Sequence, residues 1–386
     1  AFGRIKFDLA AVYFIGKKRY TENETLYHLN IVATISATFI ITLIFFFDNY
    51  INQLLFNGET NSLTLIYAIL PIIPLNFFFL NYSYLLISRE DIKYYNIMII
   101  IKAIIGSGGA CILLLIFDLG LWSVIIASVF SVFIALIFGI WRFNKTNVNS
   151  KMIFKLNKNL LKDFFNYSYK LYISGLIGYF NNYSMKLMLT ILLSPAKVAF
   201  FSLAQDRASI LNKIPDAVNL LLYPRVSNSD NQESSASTIK AFRILLILSS
   251  FSSLLLAIFI YPLVLLMYGE AYISMVVPTI IILPGIIVHG TTSVFISYFN
   301  GVGRSDLTMK LSVFPFISQL ILGVILINYF GIIGAAFSFT LAMFFFGFLK
   351  IFFFIKTSKI SINEHIPVSS DYIYIYNFFK AKILKL

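Results

Sequence analysis

The sequence predicts an all-α polytopic membrane protein. Of its 386 residues 59% are apolar and only 12% charged, and the mean hydropathy is +0.84, a balance foreign to soluble globular domains. Apolar runs of about 20 residues recur along nearly the whole chain, each long enough to cross a hydrocarbon core of about 30 Å as a helix. The period-two alternation that a membrane β-barrel requires is absent.

Ten apolar segments follow in order, at 29–47, 62–87, 95–117, 120–142, 164–193, 198–223, 241–267, 273–299, 309–329 and 332–355. Lys and Arg mark alternate loops. Lys17, Lys18 and Arg19 precede the first span, Arg89 and Lys93 follow the second, and Arg142 to Lys162 is the most basic stretch. Arg225, Lys240, Arg243, Arg304, Lys310, Lys356 and Lys359 continue on that side, which the positive-inside rule makes cytoplasmic. The opposite loops are short and hold a single basic residue, Lys197. The net charge of +13 therefore reports topology rather than a nucleic-acid surface, and no nucleic-acid partner is expected.

Trp122 and Trp141 stand 19 residues apart around the fourth span, about 28 Å of helix, the separation of two aromatic belts. The basic linker from Asn144 to Lys162 divides an N-terminal bundle (1–150) from a C-terminal six-helix bundle (151–356). A cytoplasmic tail (357–386) follows, whose Tyr, Phe and Lys residues suit an interfacial helix or a disordered end. Pro215, Pro278, Pro284 and Pro315 interrupt apolar segments as kinks or hinges. The single cysteine, Cys111, excludes an intramolecular disulfide, and no metal-ligand spacing is present.

A weak internal repeat links the halves at a shift of 211 residues. Leu54-Leu55-Phe56-Asn57-Gly58-Glu59 echoes Leu265-Leu266-Met267-Tyr268-Gly269-Glu270, and Gly120 echoes Gly331. Under that shift Ala1 pairs with Asn212. The expected arrangement is two pseudo-symmetric bundles, 4+6 helices of a 6+6 or larger whole, with about two helices lacking at the start and transport dependent on them.

The functional signal lies between 164 and 225, where two segments meet at Ser194-Pro195-Ala196-Lys197. On a wheel of about 100° per residue, Ser168, Tyr172, Gly175, Tyr179, Asn182, Tyr183 and Thr190 fall within roughly 60° of Lys186. In the next segment Ser202, Gln205, Asp206, Ser209, Asn212, Lys213, Asp216 and Asn219 share an arc of roughly 140°. Charged stripes inside a membrane turn toward a wet cavity or a partner, because lipid exposure costs several kcal/mol per charge. This pair reads as a cavity wall. Lys186 and Asp206 lie at equal depth, about 12 Å from the turn, and could simply neutralise one another; Lys213 and Asp216, three apart, could do the same. Arg207 lies off the polar arc and Lys102 sits near the end of its span, where a long side chain can snorkel. His289, on an apolar segment, reads more readily as packed than as a proton carrier.

Several short stretches, in order and spacing, resemble the bacterial polysaccharide (O-antigen, Wzx-type) flippases of the multidrug/oligosaccharidyl-lipid/polysaccharide exporter superfamily. They are Asn182-Tyr183-Ser184-Met185-Lys186, Val198-Ala199-Phe200-Phe201-Ser202-Leu203-Ala204, Leu222-Tyr223-Pro224-Arg225-Val226-Ser227, Tyr268-Gly269-Glu270-Ala271-Tyr272 and Tyr298-Phe299-Asn300-Gly301-Val302-Gly303-Arg304. The resemblance implies a multi-pass protein of the bacterial cytoplasmic (inner) membrane. It implies alternating-access transport of undecaprenyl-diphosphate-linked oligosaccharide for O-antigen, capsule or exopolysaccharide synthesis, driven by an H+ or Na+ gradient and working beside a polysaccharide polymerase and a chain-length regulator. It implies no cofactor. Lys186 stands where many relatives carry an acidic residue or Arg.

A diphosphate calls for cations and a glycan for amide and hydroxyl groups. The expected substrate contacts are Lys186, Lys213, Arg207, Asn182, Tyr179, Gln205 and Asn212, with Asp206 and Asp216 in ion coupling or pairing. Cations outnumber acids on these faces, whereas a multidrug antiporter for cationic drugs, the alternative within the superfamily, would reverse the balance. Nucleotide loop, nucleophile elbow and His/Cys metal spacing are all missing, so an enzyme is not expected. A membrane polysaccharide polymerase or ligase, the enzymatic alternative, would need a sizeable outer loop bearing Arg or His.

Overall fold

The computed structural model describes residues 5–56, 60–146 and 156–383. Every regular element among them is helical. Two compact units divide the chain, residues 1–169 and 170–386.

In the first unit a short apolar helix α1 (Phe7–Gly16) precedes α2 (Glu22–Phe46), whose first turn is capped by the Thr21 hydroxyl accepting from Glu24 N at 3.3 Å. Helices α3 (Asp48–Phe56), α4 (Thr60–Ile69) and α5 (Ile72–Ser88) follow. Then α6 (Ile92–Ala103) runs through a π-bulge at Ile104–Gly108 into α7 (Gly109–Leu115), and α8 (Leu121–Thr146) packs across α5 and α6. In this unit three of the basic residues read as topology markers form ion pairs near helix ends. Arg89 pairs with Glu22, Arg142 with Asp91 at 2.7 Å while lying over Tyr94, and Arg19 with Asp163 at 2.5 Å. Trp122 and Trp141 are exposed near the two ends of α8, which fits two aromatic belts and two isolated tryptophans alike.

The division between units falls between Tyr169 and Lys170, inside α9 (Lys158–Leu192). The linker is shorter than its composition suggests, because α8 continues to Thr146 and α9 begins at Lys158. Residues 147–155 lie outside the described residues, as do Asn57, Gly58 and Glu59 of the repeat.

In the second unit α10 (Pro195–Ser209) starts with Pro195 in the first turn, where a missing N–H costs nothing, after an extended Ser194. A 3-10 turn at Ile210–Asn212 separates it from α11 (Lys213–Asn228). The expected single span is thus two helices, and the turn winds tighter than the 100° step on which one continuous polar arc rests. Helices α12 (Asn231–Tyr268), α13 (Val276–Thr291), α14 (Ser293–Gly301) and α15 (Ser305–Ser358) complete the bundle, and α16 (Ser369–Ile383) packs on α12. Helix α15 is two rods joined at Gly331, whose φ of 56° and ψ of −130° are open only to glycine. Close approach holds α13 to α15. A Cβ on Gly285 would stand 2.9 Å from Thr340 Cα, and the Thr340 hydroxyl donates to Ile281 O at 2.6 Å beside Pro284.

Seven helical stretches among the described residues are long and apolar enough to cross a membrane. Breaking the last at Gly331 and adding polar-faced α9 and the α10–α11 pair gives about the ten expected spans. The repeat is visible in the backbone as well. Gly120 and Gly331 share a left-handed φ, +53° and +56°, each immediately before a span. Shifting Glu22, Ile92 and Leu121 by 211 lands within two residues of where α12, α15 and its second rod begin.

Candidate functional site

Helices α9 and α10 descend from the Ser194-Pro195 turn with their polar residues at matching depth. Lys186 Nζ stands 3.5 Å from Asp206 Oδ1, with side chains 28% and 56% exposed. The pair is long and open on one side, so both groups retain capacity for a further partner. Tyr179, Asn182 and Tyr183 are exposed on the same helix, and the Tyr179 and Tyr183 rings lie 4.5 Å apart.

The other expected contacts divide. Lys213 and Asp216 are both exposed on α11, and no close ion pair joins them. Gln205 is buried with its Oε1 unpartnered. Asn212 turns its Oδ1 toward Gly290 of α13, 3.3 Å from where a Cβ there would sit, and that oxygen is unpartnered too. Arg207 is half-buried with an inaccessible, unpartnered Nε. Of these three, Asn212 is thus set against α13, and Gln205 lies inside the bundle. In the first unit Lys102 donates to Asn76 Oδ1 at 2.9 Å over the Phe79 ring, a satisfied cation.

The structure adds a group that the periodicity argument passes over. Lys350, the one charge in the run Phe344 to Phe354, is 1% exposed. Its Nζ donates to Thr292 Oγ1 at 3.1 Å and lies 3.8 Å from the Phe346 ring centroid. It borders a cavity of about 360 Å³ within the second unit, between α9, α11, α13, α14 and α15. Asn181, Asn182 and His289 line it, with Asn219, Ser293, Ser297 and Thr308. No carboxylate is among the lining residues. Asn219 is held by Ser293 and Ser297 at 2.6 and 2.8 Å, whereas Asn181 Oδ1 and His289 Nδ1 are buried without partners. His289 thus stands at a polar cavity and is not merely packed. A lone lysine in a phenylalanine run was the available signal, but five residues from the end of its span it reads as a snorkelling side chain. Among the described residues no group of His, Cys, Asp and Glu is placed to hold a metal ion.

Several solved transporters share this shape. A MATE transporter of Vibrio cholerae, VcmN, superposes with a TM-score of 0.80 at 16% identity, over 94% of this chain and 85% of that one. A MOP superfamily transporter from Pyrococcus furiosus, described as having a binding pocket of reverse polarity, gives a TM-score of 0.77 at 14% identity, over 93% and 84%. A multidrug resistance MATE family transporter of the MOP superfamily in an outward-facing conformation gives 0.79 at 13%, over 93% and 84%. These likenesses show the fold. A search of curated proteins found no match. The sequence itself matches the family model described as polysaccharide biosynthesis protein over residues 11–277, reaching into both units. This multi-pass helical chain, with a MOP-superfamily transporter fold, belongs to the polysaccharide biosynthesis protein family.

Proposed function

We propose that the chain is a flippase that carries an undecaprenyl-diphosphate-linked oligosaccharide across the bacterial cytoplasmic membrane by alternating access. The observation that carries the reading is the pairing of a polysaccharide biosynthesis family with a transporter fold. The polar faces agree with it. Lys186 and Lys213 offer ammonium groups for a diphosphate, and Asn182, Tyr179 and the hydroxyl-rich surroundings offer partners for sugar hydroxyls. Gln205, buried, and Asn212, set against α13, would reach substrate only after the neighbouring helices shift, whereas Arg207 is half-buried. Asp206 and Asp216, both exposed, are the groups through which an H+ or Na+ gradient would couple. The protein would act on lipid-linked glycan beside a polymerase and a chain-length regulator, in O-antigen, capsule or exopolysaccharide synthesis.

The multidrug antiporter reading also fits the fold. The lysine-bearing, carboxylate-free cavity of the second unit argues against cationic drugs as cargo. Deleting the chromosomal gene separates the two. A flippase predicts loss of surface polysaccharide and accumulation of its lipid-linked precursor on the inner leaflet. Unchanged polysaccharide with heightened sensitivity to cationic drugs would establish the antiporter instead.

A further inference from the structure

The Lys350 cavity is a built site without an occupant for its charge. An ammonium has three donors, and here one is used by the Thr292 hydroxyl while the Phe346 ring covers another side. Burying a cation without a counter-charge is costly, and the cost falls when an anion pairs with it. The lining supplies none. Across all five helices that border the cavity, its titratable groups are Lys350 and His289 alone. The remaining lining is amide and hydroxyl, from Asn181, Asn182, Ser297 and Thr308 among others, with Asn181 Oδ1 and His289 Nδ1 unpartnered. A volume of about 360 Å³ lies at the lower end of small-molecule sites and well above what a bare inorganic ion needs.

We propose that this cavity binds a single hexose-sized sugar bearing one oxyanion, with the carboxylate or phosphate on Lys350 and the hydroxyls on the asparagine and serine side chains. The oxyanion takes the remaining ammonium donor as a charge-assisted hydrogen bond. The sugar ring satisfies the buried amide oxygen and the imidazole, which otherwise have no partner. The site lies wholly within the second unit, so it adds to the flippase reading without depending on it. Two sources share this chemistry, an acidic residue of a glycan and the sugar phosphate that joins a glycan to its carrier.

Equilibrium dialysis of the purified full chain against radiolabelled glucuronate, glucose 1-phosphate and glucose tests the assignment. One or both anions are expected to bind at one per chain while glucose is not retained, and the anion preferred identifies the source. Lys350→Gln should weaken that binding tenfold or more. Asn182→Ala removes an exposed amide from the rim, leaves the buried lysine in place, and should weaken it severalfold. Retention of neither anion, retention of glucose equal to that of the anions, or undiminished binding by either variant eluting like the parent would overturn the proposal. Should Lys350→Gln fail to fold, the Asn182→Ala result decides.

Discussion

Lys186 and Asp206, one on each side of the Ser194-Pro195 turn, meet at 3.5 Å. Their equal depth follows from counting eight residues along each helix, and the contact shows that the count brings the side chains together as well. More than half of the Asp206 side chain remains exposed, so the pair is worth at most about 1 kcal/mol to stability. Lys186→Ala is therefore expected to leave thermal unfolding nearly unchanged while reducing transport. The charge swap Lys186→Asp with Asp206→Lys should not restore it. A swap variant that transports like the parent would make the pair structural.

Lys213 and Asp216 differ, since no ion pair joins them. Lys213→Ala and Lys213→Glu should lose transport, and Lys213→Arg should keep a useful fraction because the charge persists. Adding Asp216→Ala to Lys213→Ala should give no recovery. Recovery in the double variant, measured as surface polysaccharide at equal protein level, would point to mutual neutralisation instead.

Gly331 and Gly334 set the break in α15. Any side chain at Gly331 meets backbone strain of order 1–3 kcal/mol, and a Cβ at Gly334 would run into the Leu326 carbonyl. Gly331→Val and Gly334→Ala should each lower the melting temperature in detergent by several degrees. Gly178→Ala, where a Cβ meets nothing within 4 Å, should not.

The C-terminal helix is docked by a charge pair. Asp371, 2% exposed, pairs with Arg243 at 2.8 Å, and the His365 ring lies 5.8 Å from Phe242 and Phe354. The tail is thus a helix held on α12 by a half-buried arginine. Arg243→Ala leaves Asp371 without this partner and should make residues 369–383 the first site of limited proteolysis. Cleavage no faster than in the parent would show that the aromatic contacts suffice.

The Lys and Arg asymmetry puts the Ser194 turn outside and the 229–230 turn inside. In a Cys111→Ser background, an impermeant maleimide added to whole cells should label Ser194→Cys and spare Asp230→Cys. The opposite pattern would invert the topology.

The amino-acid sequence by itself determined the helical membrane class and the approximate place of most spans, and it carried a weak sign of the internal repeat. These rest on composition, run length and periodicity, which act locally: a run of about 20 apolar residues suits a bilayer whatever packs beside it. Gly331 carries its reason within itself, since its backbone region is open only to glycine. Partnership was decided by the tertiary structure. Spacing and depth left both pairings open; in the fold Lys186 and Asp206 meet across a turn, while Lys213 and Asp216 make no close ion pair. A tight turn at Ile210–Asn212 broke the continuous arc on which Asn212 and Ser202 shared one polar face. Lys350, a snorkelling candidate by position, became a buried cation because the joint between α13 and α14 brings Thr292 to its head group, beside the Phe346 ring one turn earlier on its own helix. Whether a charge in a membrane helix meets lipid, water, a partner or a cavity depends on what the neighbouring helices place against it, and no period along a single helix encodes that.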